Sequence, residues 1–278
     1  MKLDITENYP LNKCTSFKVG GPADRLITVN SKEELEEAFT YPRPMILGNG
    51  TNVLFSDAGY RGTIIKFGPE LSKVSVRGTV VKAGAGASFA VAAKTASAKG
   101  LTGLEFACGI PGSVGGAVYM NAGAYDGSVA DVVEKVESIP QLSDYGLSYR
   151  HSSFMDEGAV ILGATFRLKK GDQAEIDAKI ADLTNRRTTK QPLSFPSAGS
   201  FFKRPEGHFA GRLIEEAGLK GRTVGGAQIS ELHAGFMINI GGATCADILE
   251  LMHIVQNEVF ERSGVHLEPE VRIIAEQS

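Results

Sequence analysis

No tryptophan occurs among the 278 residues, and cysteine occurs only three times, at Cys14, Cys108 and Cys245. Three scattered thiols exclude a disulfide framework and a cysteine-based zinc site, and they suit a reducing compartment. Histidine is scarce too. His151, His208, His233, His253 and His266 stand in no HExxH-like spacing, so no metal is expected. No apolar run reaches the roughly 20 residues that span a bilayer, and the opening MKLDITENYP lacks the apolar segment of a secretory signal. A formal net charge of −3 offers no general basic surface for nucleic acid. What remains is a globular, cytoplasmic chain with no membrane insertion and no evident obligate protein partner. Its length allows one large domain or two modest ones.

Glycine is the residue in excess, with 33 copies that cluster in short runs. Clustered glycine marks sharp turns or a backbone that must come close to something. Around the clusters, the pattern predicts a mixture of strands and helices. Arg25–Val29 and Met45–Leu47 read as strands around a helix opened by the Ser31–Glu34 capping box. Thr63–Phe67, Lys73–Val76, Val80–Ala83, Val132–Ser138 and Ala159–Leu168 read as further strands. Ser88 caps a helix that Gly100 stops. Glu175–Arg187 and Asp247–Arg262 carry helical apolar spacing, and the tail Glu270–Ala275 reads as a last strand. The basic run from Asn185 to Pro192 reads as a boundary, where helix signals give way to Pro and Ser. Strands and helices do not alternate as regular βαβ units, so the expected class is α+β.

Two glycine loops carry the chemistry. Gly48-Asn49-Gly50-Thr51-Asn52 follows a strand, and successive N–H groups in such a loop can accept phosphate oxygens. It is neither a Walker A loop nor a Rossmann fingerprint, and alone it is as well explained as a turn. The second stretch holds Gly109, Pro111, Gly112, Ser113, Gly115, Gly116, Asn121 and Gly123, with Ile110, Val114, Val118 and Met120 interleaved. A flat, partly apolar ligand bearing a diphosphate accounts for bare backbone and apolar cover together. No histidine precedes residue 151, which argues against histidyl attachment of such a ligand in that half. The apolar neighbours of Cys108 suit an inert thiol.

Farther on, Arg150 offers a planar cationic fork for a carboxylate or phosphate. Ser200 lies between Gly199 and Phe201-Phe202, either as a turn serine or in a partly dry pocket; no Gly-x-Ser-x-Gly elbow surrounds it. Glu270 opens the last strand. His253 sits beside the inward face of its helix and reads as structural.

These segments, taken in order, resemble the UDP-N-acetylenolpyruvoylglucosamine reductase family. The matching residues are Thr15–Gly21, Leu47–Leu54, Gly103–Phe106, Gly109–Ala117, Asn121–Tyr125, Tyr149-Arg150, Gln191-Pro192, Ala198–Lys203 and Glu270–Arg272. Each is weak alone; the ordered set is specific. The resemblance implies a non-covalent FAD fold of the vanillyl-alcohol-oxidase-like class, in two subdomains, followed by a C-terminal α+β substrate domain. It places the first subdomain at 1–62, with the strand 270–278 returning to it, the second at 63–187 and the substrate domain at 188–270. It implies an NADPH-dependent, FAD-mediated reduction of an enolpyruvyl ether in peptidoglycan precursor synthesis. It makes Ser200 the proton donor, with Arg150 and Glu270 as the other catalytic groups, and the residues named in both glycine loops cofactor contacts. Tyr149, Lys203 and His233 are its expected substrate contacts. Two departures stand out. Arg204 follows Lys203 where the family more often has Asn, and a tyrosine-bearing insertion over the substrate is lacking, as in the shorter subclass. Another FAD-dependent oxidase of the superfamily and a non-catalytic nucleotide-binding module are the alternatives.

Overall fold

A computed structural model of the chain describes residues 3–274. It is an α+β protein. The chain divides into two compact units, neither contiguous in sequence. The first gathers Met1–Ile5, Leu26–Asn49 and Ile64–Arg187; the second gathers Thr6–Arg25, Gly50–Thr63 and Thr188–Ser278.

In the first unit an antiparallel sheet runs in the order Val133–Ile139, Val160–Arg167, Val80–Gly84, Val74–Arg77. Alternating side chains of its strands, among them Val81, Ala83, Val136, Ala164 and Phe166, face a core with Phe89, Ala92, Ala93 and Ala96 of the helix Phe89–Ser97. Ser88 opens that helix by accepting a hydrogen bond from Val91 N, as its position before an apolar run predicts. A smaller cluster packs Leu35 and Ala38 of the helix Lys32–Ala38 on Ile27, Val29 and Ile65.

Two elements differ from the sequence expectation. The glycine-dense stretch contains a helix, Val114–Tyr119, capped by Ser113. Its Val114 and Val118 are fully buried in the core. Their interleaving with glycine therefore reflects one buried helical stripe rather than cover for a ring system. The helix expected over Glu175–Arg187 runs as Gln173–Lys190. The basic run continues the helix and does not end it. Pro192 lies just past the end, where its ring no longer clashes with a helical carbonyl.

In the second unit the sheet order is Ser197–Ser200, Phe236–Asn239, Ala227–Ile229, Thr223–Val224. The helix Cys245–Ser263 lays Ile248, Leu251, Met252, Val255 and Val259 into the core of this unit. Phe17, Val19 and Leu54 belong to the same core. The strand Arg272–Ile274 pairs in parallel with Val53–Phe55. Ala275, the end of the expected last strand, lies outside the described residues, as does the rest of 270–278 beyond Ile274.

Candidate functional site

In the first unit, the two glycine segments meet. A Cβ on Gly48 would stand 2.4 Å from Ser113 Oγ, and Asn49 Nδ2 donates to Pro111 O at 2.8 Å. The missing side chain at Gly48 is what lets the loops close on each other. Gly115 is equally demanded by packing, 2.9 Å from Ala85 Cβ. A side chain at Gly123 would meet Gly127 O at 2.8 Å. Ser113 is buried, and its hydroxyl oxygen accepts from Gly116 N. The glycines therefore shape the cradle chiefly through protein–protein contact.

Two cations stand at this cradle that the sequence pattern did not mark. Lys66 Nζ donates to Gly48 O at 3.1 Å. The side chain of Arg187 lies on Gly109, where a Cβ would come within 2.9 Å of its Cδ and 3.4 Å of a guanidinium nitrogen. Burial holds the Arg187 guanidinium below its ordinary pKa, with Tyr125 acting in the opposite sense; an arginine so shifted keeps its charge. Neither cation forms an ion pair among the described residues. Paired backbone loops with two uncompensated positive charges fit a diphosphate, the most anionic part of FAD.

Asn121, expected to touch the cofactor, is buried, and its carboxamide is occupied. Nδ2 donates to Ser148 O at 2.7 Å, and Oδ1 accepts from Ala130 N at 3.0 Å. Tyr149 and Arg150 form the tip of a narrow turn closed by the reciprocal bonds Ser148 N to His151 O and His151 N to Ser148 O. Arg150 has φ +56°, a conformation that turns ordinarily reserve for Gly or Asn. A non-glycine residue held there points to a side chain that is needed. The Arg150 guanidinium donates to Gly123 O at 3.2 Å and lies 5.1 Å from the Tyr149 ring centroid. Tyr149 is exposed.

In the second unit, Ser200 ends its strand opposite Phe236, after a bulge in which Gly199 takes φ +80°. A left-handed glycine at a bulge bends the strand and re-aims the next side chain. Ser200 is exposed, not set in the partly dry pocket that its aromatic neighbours suggested. Phe201 and Phe202 are instead buried beneath it, edge to face at 5.3 Å. The same backbone continues beside the chain that carries Glu270: Lys203 N donates to Glu268 O and Glu270 N to Phe201 O, each at 2.8 Å. Ser200 and Glu270 are thus brought onto adjoining segments. Asn52 Nδ2 donates to Glu270 O at 3.1 Å, and Arg272 N donates to Asn52 O, so Asn52 braces the start of that strand. Gly50 is pressed on the Cys14 carbonyl, 2.1 Å from where its Cβ would be. Lys203 is ion-paired with Glu268. His233 Nδ1 accepts from Gly235 N at 3.1 Å, and burial lowers the pKa of the ring, favouring its neutral form. Arg204 stacks on Phe209 at 3.9 Å.

Among the described residues, no group of three or more His, Cys, Asp or Glu could hold a metal, and no helix is long and apolar enough to cross a membrane.

Comparison with known proteins places these segments. Residues 23–140 match the model of the FAD binding domain, and residues 191–274 match that of the C-terminal domain of UDP-N-acetylenolpyruvoylglucosamine reductase. The chain is 48% identical to the UDP-N-acetylenolpyruvoylglucosamine reductase of Clostridium perfringens (strain SM101 / Type A), over 98% of this chain and 93% of that one. It is 49% identical to the protein of that name from Clostridium botulinum (strain Hall), over 99% and 94%. The crystal structure of the UDP-N-acetylenolpyruvylglucosamine reductase of Thermus caldophilus superposes with a TM-score of 0.86 at 36% identity, covering 99% of both chains.

Proposed function

The chain belongs to the UDP-N-acetylenolpyruvoylglucosamine reductase family, and from that premise we infer the part each residue takes in the reaction. The protein is an FAD-dependent oxidoreductase that uses NADPH to reduce the enolpyruvyl ether of UDP-N-acetylglucosamine enolpyruvate to UDP-N-acetylmuramate, for peptidoglycan synthesis. Identity near one half over almost the full length of both chains carries this conclusion.

When bound, FAD supplies the two-electron relay between NADPH and the substrate double bond. The loops at Gly48–Asn52 and Gly109–Gly116, with Gly123, would hold it, with Lys66 and Arg187 against its diphosphate. As the vinyl terminus takes up hydride, negative charge develops on the enolpyruvyl carboxylate. Arg150 stabilises that charge through its guanidinium. Glu270 holds the same carboxylate through a shared proton. Ser200 then gives its proton to the adjacent carbon; a hydroxyl is a weak acid, but a carbanionic carbon is a strong enough base to take it when the two are aligned. Tyr149, Lys203 and His233 contact the substrate in this scheme. Residues 1–62 and 63–187 serve the cofactor and 188–270 the substrate. The reaction runs in the cytoplasm and requires small molecules alone.

An anaerobic visible spectrum tests this. The flavin band should bleach with NADPH and return when UDP-N-acetylglucosamine enolpyruvate is added. Ser200→Ala should leave the bleaching intact and slow the return by ~100-fold or more. Equal slowing of both steps would remove Ser200 from the proton transfer.

A further inference from the structure

We propose that Asn121 is a positioning residue for Arg150, fixing where the guanidinium stands relative to the glycine segment 109–123. This rests on the catalytic role given to Arg150 above. Three bonds tie the Arg150 turn to one short stretch of chain. Asn121 Nδ2 donates to Ser148 O at one foot of the turn. Ser152 Oγ, fully buried, donates to Tyr119 O at 2.7 Å at the other foot. The Arg150 guanidinium itself donates to Gly123 O. That stretch, 119–123, starts at the last residue of the capped helix Val114–Tyr119, whose Val114 and Val118 are locked in the core. The brace is therefore mounted on a rigid support.

Asn121 is suited to this task in two ways. It has φ +40°, which Asn tolerates better than other side chains. Its carboxamide presents a donor and an acceptor at once, and both are used: the amide nitrogen on Ser148 O, and the oxygen on Ala130 N. Residue 121 lies in a glycine-rich run and looks like a cofactor contact, but a buried side chain with both ends engaged by backbone acts through what it holds. What it holds is the base of a turn whose tip is an arginine in a conformation that Arg does not favour unaided. Remove the brace, and the turn is free to relax toward ordinary φ, carrying the guanidinium away from the developing charge.

The test is a double-mutant cycle on the FAD-loaded enzyme, with the two half-reactions timed separately by stopped flow. Asn121→Gly deletes the carboxamide without straining a positive φ. It should slow reoxidation by the enolpyruvyl substrate by ~30-fold, since a displacement near 1 Å costs that order. Reduction by NADPH and the dissociation constant for FAD should stay within about threefold of the parent values, because the carboxamide that is deleted is spent on Ser148 O and Ala130 N and the glycine backbone of the loops keeps its residues. In an Arg150→Met background, Asn121→Gly should cost less than about twofold further. If Asn121→Gly proves unfolded, Asn121→Ala, which also removes the carboxamide without adding charge, enters the same cycle with the same expectations. The proposal is overturned if both half-reactions slow together, if reoxidation is unaffected, or if the full penalty persists without Arg150. Normal reoxidation in Arg150→Met alone would instead sink the catalytic role of Arg150.

Discussion

Lys66 and Arg187 hold positive charge against backbone, with no carboxylate within ion-pair distance among the described residues. A cation desolvated without a partner is costly, and a diphosphate would repay that cost. Arg187→Gln keeps much of the side-chain volume and removes the charge. It should weaken FAD binding by ~10-fold or more, the value of one charge-assisted hydrogen bond, and leave riboflavin, which has no phosphate, bound as before. Flavin fluorescence titration reads both, and equal weakening of the two ligands would assign Arg187 a purely structural role. Neither cation was legible in the sequence. The glycine motifs are contiguous, but Lys66 reaches Gly48 from the neighbouring strand, and Arg187 sat in the basic run that read as a boundary. The proposed catalytic trio was legible only by resemblance. Its Ser200 and Glu270 are chemically ordinary residues, and nothing in their spacing announces that backbone pairing puts them on adjoining segments.

The long helix Cys245–Ser263 shows which element signals are self-sufficient. Its apolar stripe and its stop at Gly264, in left-handed conformation, follow from spacing and glycine alone. Its start was misplaced by two residues because it is capped twice. Thr244 and Asp247 form a reciprocal box. Asp57, far off in sequence, accepts from Cys245 N at 2.7 Å and Ala246 N at 3.0 Å. Thr244→Ala should lower stability to urea unfolding by about 1 kcal/mol. The Asp247 carboxyl is held below its ordinary pKa, first by the backbone bond from Thr244, which burial opposes and the Thr244 hydroxyl and Gly226 N reinforce. A folded-state pKa below the unfolded one adds stability above the unfolded value, ~3.9, and that stability fades as pH falls through the depressed value. Asp247→Asn should therefore flatten the loss of stability on acidification; an unchanged pH profile would show that the box carries no electrostatic weight. The short helix Val114–Tyr119 is the opposite case. Two glycines in six residues hide it from propensity, and burial of Val114 and Val118 together with the Ser113 cap makes it a helix.

At the scale of the molecule, the C-terminal sheet does not own its core. Phe17, Val19 and Leu54 pack with residues from 198 to 271, and Arg272–Ile274 finds its parallel partner at Val53–Phe55. A fragment spanning 188–278 expressed alone should accordingly lack a cooperative unfolding transition; a sharp melt would show that the N-terminal residues merely decorate that core. Sequence by itself determined the class of fold, since capping boxes and apolar periodicity are local and survive without knowledge of neighbours, and its ordered motifs carried the resemblance that implies the family and its chemistry. Only the tertiary structure decided which side chains those motifs employ. It spends Asn121 and Asn52 on backbone, sets Lys66 and Arg187 at the glycine loops, and assembles one core from three stretches of chain. The physical reason is that hydrogen bonds and burial between distant residues depend on where the chain returns, and a parallel strand pair such as 53–55 with 272–274 leaves no periodic trace in the residues between.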